Sequence, residues 1–471
     1  ANSTTDQPNN PSLTNHKANR QAFTATKAPR ESTFDMPPPI VAIPIVWGVG
    51  AAVGAVVNWA AYALAWNPRP ISPWSPAHPQ APPRILADRL PLVGWWRLRR
   101  ESPLHGRWFW IRPLCVELSV ATALAGLYWW EVIQQGLVQP QLDGIPVRAP
   151  EWTTTATFLS HAVLLSLMAA ASLIDIDEKI IPDEITVVGT LLGLIIAAAS
   201  PMSLLPQIAI AGAVKPPACV EIELPADAAV QQRLLVEPVT LAAPNAWPAA
   251  LGARPHGQGL AIGLGCLAVW YFSLMPRFWR RRRGALYGLR IMFARVLREM
   301  RRLPLSAVVL AVAFGTLIVW YQGGAAWVGL LTALVGMIAS GSLVWAVRIV
   351  GSAALKREAM GFGDVTLMMM IGAFLGWQAG IIIFFVAPFA GLVVGVLQAV
   401  LRRDDVIPYG PFLCLATAAV VVSWGSLWRD GPGGMQALFW LWWLIPAVLV
   451  LCVVMLGAVL VIWRNIKSVI R

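Results

Sequence analysis

Residues 326–350 read AWVGLLTALVGMIASGSLVWAVRIV, an apolar run in which Arg348 is the first charged side chain. A run of about 20 apolar residues is long enough to cross a hydrocarbon layer roughly 30 Å thick. Because no water is present at that depth, the backbone must satisfy its own hydrogen bonds, which predicts a helix. Comparable runs recur from Ile40 to the C-terminus, without the period-two alternation typical of a membrane barrel. The sequence therefore predicts an all-α fold, a polytopic bundle of transmembrane helices.

Composition agrees with a membrane protein and argues against a row of soluble domains. Hydrophobic residues make up 57% of the chain and charged residues 13%, against roughly 25% charged in a typical soluble domain. We predict about eleven spans. Their bounds are 40–66, 114–133, 152–174, 185–213 (ending near Pro201), 257–275, 304–322, 326–350, 365–375, 381–400, 412–427 and 438–462.

The net charge of +12 is spread unevenly over the loops. Residues 67–112 contain eight arginines and residues 277–302 contain ten, whereas residues 134–153 contain one basic residue. Cytoplasmic loops of membrane proteins carry such an excess, so the charge indicates orientation rather than nucleic-acid binding. The pattern predicts an N-terminus outside and a C-terminus in the cytoplasm. The predicted cytoplasmic segments are 67–112, 175–184, 277–303, 351–364 and 401–408.

Three segments do not read as membrane spans. Residues 1–39 are polar and lack an apolar stretch, which predicts a disordered tail. Residues 214–256 contain seven prolines and alternating stretches, which favours a small β-rich segment on the outside. In the arginine-rich stretch 277–302, the apolar residues recur at helical spacing, which predicts contact with anionic lipid headgroups. These apolar residues are Leu286, Leu289, Phe293 and Leu297.

Acidic residues at membrane depth are costly and mark function, and here they cluster at two span ends on the same predicted face. Asp175 directly follows an apolar run, and Asp364 opens another. Two carboxylates in a shielded site cannot easily both ionise, so such a pair suits general acid–base catalysis. The remaining acids of the two clusters are Asp177, Glu178, Asp183, Glu184 and Glu358.

Two glycines, Gly361 and Gly363, flank Phe362 just before Asp364. Glycine permits positive φ and close backbone approach, which a peptide substrate beside this aspartate would need. Spacing alone leaves alternatives open. Acids at cytoplasmic helix ends are often simply solvated, and a proton-coupled transporter would also carry intramembrane acids, although nearer the middle of its spans.

The sequence resembles the type IV prepilin peptidases, which are GxGD aspartic intramembrane proteases. LIDIDEKIIPDEIT (173–186) resembles the first family signature, and EAMGFGDVTLMMMIGAFLG (358–376) resembles the second. Other segments resemble the family in the same order. They are GAAVGAVVNW (50–59), RLPLVGWWRLRR (89–100), IRPLCVELSVATAL (111–124) and VIPYGPFLCLA (406–416).

The resemblance implies an aspartic endopeptidase of the bacterial inner membrane. Its substrates would be type IV prepilins and the pseudopilins of type II secretion, cleaved at the cytoplasmic face, with pilus or secretion components as further partners. The implied catalytic pair is Asp175 and Asp364, and proteolysis needs no cofactor. The implied supporting residues are Gly361, Gly363, Asp177, Asp183 and Glu358.

The family often also methylates the new N-terminus with S-adenosylmethionine. Gly54, Asn58 and Glu117 match positions near that activity, and each is equally compatible with helix packing. The resemblance leaves open whether this chain methylates. It also leaves open a non-catalytic member of the family that serves as a scaffold.

The chain departs from the family in two places. Many members carry two CxxC pairs that bind zinc in the loop 67–112, where this chain has Ser75-Pro-Ala-His78 and Ser102-Pro-Leu-His105. Serine hydroxyls are poor zinc ligands, so we predict no metal site. Residues 201–325 form an insertion, with an outside segment, two extra helices and the arginine-rich stretch. On either side of it, the helices of residues 113–200 carry the first motif and those of residues 326–471 the GxGD motif.

Overall fold

The structure is a computed structural model. It describes residues 39–69, 71–138, 141–142, 145–210, 218–222, 234–241, 254–275, 303–356, 358, 360–400, 408–429, 434–441 and 443–470. Residue contacts divide the chain into residues 1–42 and residues 43–471. Of the first unit only residues 39–42, where the first helix begins, are described. Residues 1–38 of the predicted tail and the whole arginine-rich stretch 277–302 lie outside the described residues.

Helices follow one another along the described residues, as the apolar runs predict. They are α1 (Pro39–Ala63), α2 (Val93–Leu98), α3 (Ser102–His105), α4 (Ile111–Tyr128), α5 (Glu151–Glu178), α6 (Asp183–Ala199), α7 (Gly257–Leu274), α8 (Leu303–Gln322), α9 (Gly324–Leu355), α10 (Gly363–Val400), α11 (Gly410–Leu427), α12 (Gln436–Trp440) and α13 (Leu444–Ile470). Single turns of 3-10 helix occur at Leu86–Arg89, Arg99–Glu101 and Pro201–Ser203, and a π-helical turn at Trp129–Ile133.

Within the described residues, nine helices are long and apolar enough to cross a membrane. α6, with 17 residues, is slightly shorter than these. The predicted all-α polytopic bundle is thereby confirmed. The count of eleven spans and the orientation of the chain stay predictions.

α10 changes direction sharply at Gly376, whose φ of 81° and ψ of 177° are not helical. A Cβ on Gly372 would lie 2.5 Å from Ser340 Oγ, and a Cβ on Gly380 would collide with the same atom. In a straight helix, residues eight apart are about 12 Å apart along the axis, so the two halves of α10 must fold back on each other. The break lies between the predicted spans 365–375 and 381–400. Gly376 can adopt this positive φ because glycine does so without steric cost.

The first half of α10 lies at the centre of the bundle, with Met368–Ile371 fully buried. Small residues let its neighbours approach closely. A Cβ on Gly193 of α6 would lie 2.8 Å from the Phe374 ring, and Gly336 of α9 meets the backbone of Gly372. Such contacts hold helices together in lipid, where burial of apolar surface gives little driving force.

One predicted span is wrong in its bounds. The apolar run 438–462 was expected to be a single helix, but α12 ends at Trp440 and α13 begins at Leu444. Pro446 falls in the first turn of α13, the position where its missing N–H costs nothing. An apolar run does not show such a break, because every residue around it is apolar.

A three-stranded antiparallel sheet lies between α6 and α7 in sequence. Its strands are β3 (Pro206–Ile210), β4 (Val220–Glu221) and β5 (Leu234–Pro238), in the order β3-β5-β4. A short hairpin, β1 (Gln141–Leu142) with β2 (Ile145–Pro146), follows α4. Trp424 Nε1 donates to the Pro206 carbonyl oxygen at 2.9 Å, which joins the sheet to α11. Two of the three strands fall within residues 214–256, the segment expected to be β-rich.

The predicted loop 67–112 is folded through buried carboxylates. Asp88 is fully buried and accepts hydrogen bonds from Arg97 Nε and Arg100 Nη2, both at 2.7 Å, and from the Ile85 N–H at 2.9 Å. Burial alone would raise the pKa of Asp88, but these hydrogen bonds lower it to about 2. Glu117 of α4 accepts from Trp95 Nε1 at 2.9 Å. The loop is therefore attached to the membrane helices rather than free.

Candidate active site

Asp175 lies in the last turn of α5 and is 5% exposed. The helix ends at Glu178, because Lys179 adopts the left-handed conformation, with φ of 59°. The Lys179 N–H donates to the Asp175 carbonyl oxygen at 2.9 Å and closes the last turn. This helix end presents the Asp175 carboxylate at the edge of the bundle.

Asp364 is the second residue of α10 and is 7% exposed. The chain turns into the helix at Phe362, whose carbonyl oxygen accepts from the N–H groups of Val365 and Thr366 at 3.0 and 3.2 Å. The N-terminus of a helix carries a partial positive charge, which favours a carboxylate there. The GxGD segment thus places Asp364 at the start of the central helix.

A third chain segment, Pro408–Gly410, completes the arrangement. Gly410, the first residue of α11, donates its N–H to Asp175 Oδ2 at 3.1 Å. A Cβ at this position would lie 2.5 Å from the same oxygen and 3.0 Å from Ile181 Cδ1. Only glycine therefore lets α11 approach Asp175 without moving it.

One cavity of about 510 Å³ collects these helix ends. It contains both aspartates, so α5, α10 and α11 meet on the same side of the bundle. The prediction that the two motifs share one membrane face agrees with this placement. The lining residues are Asp175, Lys179, Ile180, Ile181, Met360, Gly361, Phe362, Gly363, Asp364, Pro408 and Tyr409.

The polar groups of the cavity are largely withdrawn from solvent, since Asp175 and Asp364 are both buried. Burial and the neighbouring Asp364 carboxylate raise the pKa of Tyr409 to about 12, so its hydroxyl keeps its proton at neutral pH. Two carboxylates in one shielded cavity do not readily both ionise. The pair can hold one proton between them, an arrangement that suits a general base and a general acid acting on one substrate.

Of the predicted supporting residues, the two glycines line the cavity and the three acids do not. Gly361 and Gly363 line the cavity. Neither has positive φ, so the positive φ expected for them is wrong, whereas the expected close approach of a peptide substrate stays a prediction. Gly363 is needed for space instead, because a Cβ there would lie 2.9 Å from Ile181 Cβ. A Cβ on Gly361 would make an ordinary contact with Asp364 Oδ2, at 3.6 Å.

The predicted supporting acids do not line this cavity. Asp177 pairs with Arg112 at 2.9 Å, and Glu358 pairs with Arg348 at 2.7 Å. Asp183 is exposed at the start of α6. A catalytic contribution from these three residues stays a prediction.

The three residues that match positions near the methylation activity contact one another. Asn58 Nδ2 donates to Glu117 Oε1 at 3.4 Å and to the Pro113 carbonyl oxygen at 2.8 Å. A Cβ on Gly54 would lie 2.7 Å from Glu117 Cα. Glu117 Oε2 also accepts from the Leu92 N–H at 2.5 Å. Both carboxylate oxygens of Glu117 thus have protein donors, and the three residues pack α1 against α4. A role of these residues in methylation is left open.

Sequence reasoning missed Tyr409, Gly410 and Lys179. Tyr409 and Gly410 belong to the segment VIPYGP, which resembles the family and could have drawn attention to them. Nothing in that segment indicates a contact with Asp175. Sequence reasoning also missed a buried pair, Glu131 with His161, whose Oε1 and Nδ1 lie 2.7 Å apart. Both side chains are inaccessible to solvent.

Comparison with known proteins supports the resemblance. Residues 162–215 and 297–396 match the type IV leader peptidase family. The chain is similar to the prepilin leader peptidase/N-methyltransferase of Aeromonas salmonicida (strain A449), 33% identical over 97 residues, which cover 20% of this chain and 32% of the relative. The protein of the same name from Pseudomonas putida is 33% identical over 131 residues, 27% of this chain and 44% of the relative.

A third relative of that name, from Pectobacterium carotovorum subsp. carotovorum, is 36% identical over 91 residues, 19% of this chain and 33% of the relative. Each of these matches thus spans less than half of the curated relative. No solved structure gives a significant match. Over the two segments that carry Asp175 and Asp364, the predicted resemblance is confirmed, because both segments match the type IV leader peptidase family.

Proposed function

We propose that this chain is a membrane aspartic endopeptidase that removes the leader peptide of type IV prepilins or type II secretion pseudopilins at the cytoplasmic face. One observation carries the proposal. Asp175 and Asp364, from the two segments that match the family, line the same cavity and are almost completely buried. The names of the similar proteins support the substrate class.

In the proposed reaction, one aspartate is ionised and the other protonated. The ionised carboxylate takes a proton from a water molecule as its oxygen attacks the scissile carbonyl carbon, and the protonated carboxyl gives its proton to the carbonyl oxygen. The first carboxyl then protonates the leaving nitrogen, and the second recovers a proton from the gem-diol as the C–N bond breaks. Charge development is stabilised by groups already in place.

The cavity has a composition that suits a peptide. Phe362, Ile180 and Ile181 give it apolar walls beside the two carboxylates. An apolar N-terminal helix of the substrate would lie in the bilayer beside the bundle, with its leader junction at the ends of α5, α10 and α11. Anionic lipid headgroups and secretion components remain further proposed partners.

The test is to co-express the wild type, Asp175→Asn and Asp364→Asn with a candidate prepilin and to measure leader removal by mass spectrometry. Glu184→Gln is a matched control, because this acid is exposed in the first turn of α6 and does not line the cavity. We expect each aspartate variant to lose at least about 10³-fold in cleavage rate and the control to cleave normally. Cleavage by either aspartate variant at the wild-type rate would show that this aspartate is not catalytic.

The same spectra decide two further points. A mass increase of one methyl group on the new N-terminus would support methylation with S-adenosylmethionine, which the resemblance leaves open. If the wild type leaves every prepilin of its genome uncleaved, while an authentic peptidase processes them, the scaffold hypothesis replaces the endopeptidase.

A further inference from the structure

The loop 67–112 holds a second cluster, at the positions where the related family carries its cysteine pairs. Those positions are Ser75, His78, Ser102 and His105 in this chain. The structure brings the two halves together, since the rings of His78 and His105 meet edge to face with their centroids 6.1 Å apart. The two segments therefore lie side by side although all four thiolates are missing.

These residues do not fit a zinc ion. Structural zinc takes four cysteine or histidine ligands in a tetrahedron, and two of the four positions here are serine. Across the described part of the chain, no group of three His, Cys, Asp or Glu side chains is arranged to hold a metal. His78 already uses Nδ1 to accept a hydrogen bond from the Gln80 N–H at 3.3 Å.

A guanidinium lies between the two segments. Arg84 Nη1 donates to the Ser72 carbonyl oxygen, and to the Ser75 carbonyl oxygen and hydroxyl at 2.8 and 3.3 Å. Arg84 Nη2 donates to Glu101 Oε2 at 3.2 Å. The same carboxylate oxygen lies 3.4 Å from His105 Nε2. One arginine thus joins residues 72–75 to residues 101–105.

The ion pair between Arg84 and Glu101 is buried, so breaking it would destabilise the fold of the loop. The side chains of Arg84 and Glu101 are 7% and 0% exposed. Arginine stays charged at every physiological pH, and its planar fork directs several donors at once. Removing one partner of a buried pair leaves the other charge without compensation, which is strongly destabilising. The fixed positive charge also repels a divalent cation from Glu101.

We propose that Arg84 is a built-in cation that replaces a structural zinc ion and cross-links the two halves of this loop. Unlike a metal, a guanidinium is not acquired from the medium and cannot be removed by a chelator. The loop in turn donates to Glu117 of α4 through Trp95 Nε1 and the Leu92 N–H. Its metal-free fold therefore supports the packing of α1 and α4.

The experiment measures limited proteolysis of residues 67–112 in the full-length protein, purified in detergent, with and without a zinc chelator. Zinc content is measured on the same samples by mass spectrometry. We compare the wild type with Arg84→Gln, Glu101→Gln and Arg84→Lys, and use Arg89→Gln as a matched control because Arg89 is an exposed arginine of the same loop.

We expect no stoichiometric zinc in the wild type and no effect of the chelator on its cleavage. Arg84→Gln and Glu101→Gln should be cleaved about tenfold faster or more, because cleavage follows the population of the opened loop. Arg84→Lys should fall between them and the wild type, since it keeps the charge but loses the fork. Stoichiometric zinc, cleavage accelerated by the chelator, or an Arg84→Gln loop as resistant as the Arg89→Gln loop would each overturn the proposal.

Discussion

At the scale of single residues, the candidate site depends on a backbone group rather than on a third side chain. The Gly410 N–H is the donor that the structure gives to Asp175 Oδ2. It fixes the direction of this carboxylate, and it comes from a helix that begins 235 residues further along the chain. Such pre-organisation matters because misplacing a reacting group by about 1 Å can cost roughly 10²-fold in rate.

Gly410→Ala is expected to lower the rate of leader removal by about 10²-fold while the protein stays folded, because the new Cβ would lie 2.5 Å from Asp175 Oδ2. The measurement is the rate of cleavage at saturating prepilin, where a loss of kcat with little change in KM indicates a misplaced catalytic group. Gly265→Ala is the control, since a Cβ there meets no atom within 4 Å. Equal rates for the two variants would remove Gly410 from the site.

At the scale of helices and strands, acidic side chains join elements that are distant in sequence. Glu178 accepts from the N–H groups of Trp66 and Asn67 at 2.6 and 2.9 Å, which ties the end of α5 to the end of α1. In the sheet, Gln207 of β3 donates to Glu237 of β5 at 2.7 Å and accepts from Trp428 Nε1 at 2.9 Å. Gln207 therefore joins both strands to Trp428, the residue that follows α11.

Glu237→Gln is expected to stabilise the protein at neutral pH. Burial raises the pKa of Glu237, and the hydrogen bond from Gln207 offsets this only in part. An acid with a raised pKa in the folded state stabilises the fold below its unfolded pKa, and this contribution is lost as the pH rises through the folded pKa. Glutamine cannot ionise and keeps the hydrogen bond.

The check is thermal unfolding of the purified wild type and Glu237→Gln at pH 4 and at pH 7.5. The variant should have the higher melting temperature at pH 7.5, and the difference should shrink at pH 4. A variant less stable than the wild type at pH 7.5 would contradict the proposed cost of ionising this side chain.

At the scale of the whole molecule, the ends of α5, α10 and α11 that meet at the cavity share one side of the bundle. The distribution of arginine predicts that this side faces the cytoplasm. The sheet formed by β3, β4 and β5 follows α6, whose first turn begins near the cavity. Because α6 is predicted to cross the membrane, the sheet is expected on the opposite side.

Reporter fusions test this orientation. Green fluorescent protein at the C-terminus should fluoresce, and alkaline phosphatase inserted between β4 and β5 should be active, because the first reporter matures in the cytoplasm and the second outside it. The reverse pair of results would show that the charge distribution does not set the orientation and that the cavity faces outside.

The sequence alone determined the helical class, most helix positions and the two motif aspartates. An apolar run of membrane length has one way to satisfy its backbone, so class and position follow from local composition. The break between α12 and α13 was not predicted, because the residues on both sides of it are apolar. The β-rich character of residues 214–256 could be expected from their sequence, but the pairing of the strands could not.

Tertiary structure decided how distant parts of the chain meet. Three contacts illustrate this. They are the contact of Gly410 with Asp175, the folding back of α10 at Gly376, and the ion pair of Arg84 with Glu101. In each, the distance between the residues depends on how whole helices and loops pack. Local sequence patterns do not determine such distances. They are set by close packing of small residues in the bundle and by buried charges that must find a partner.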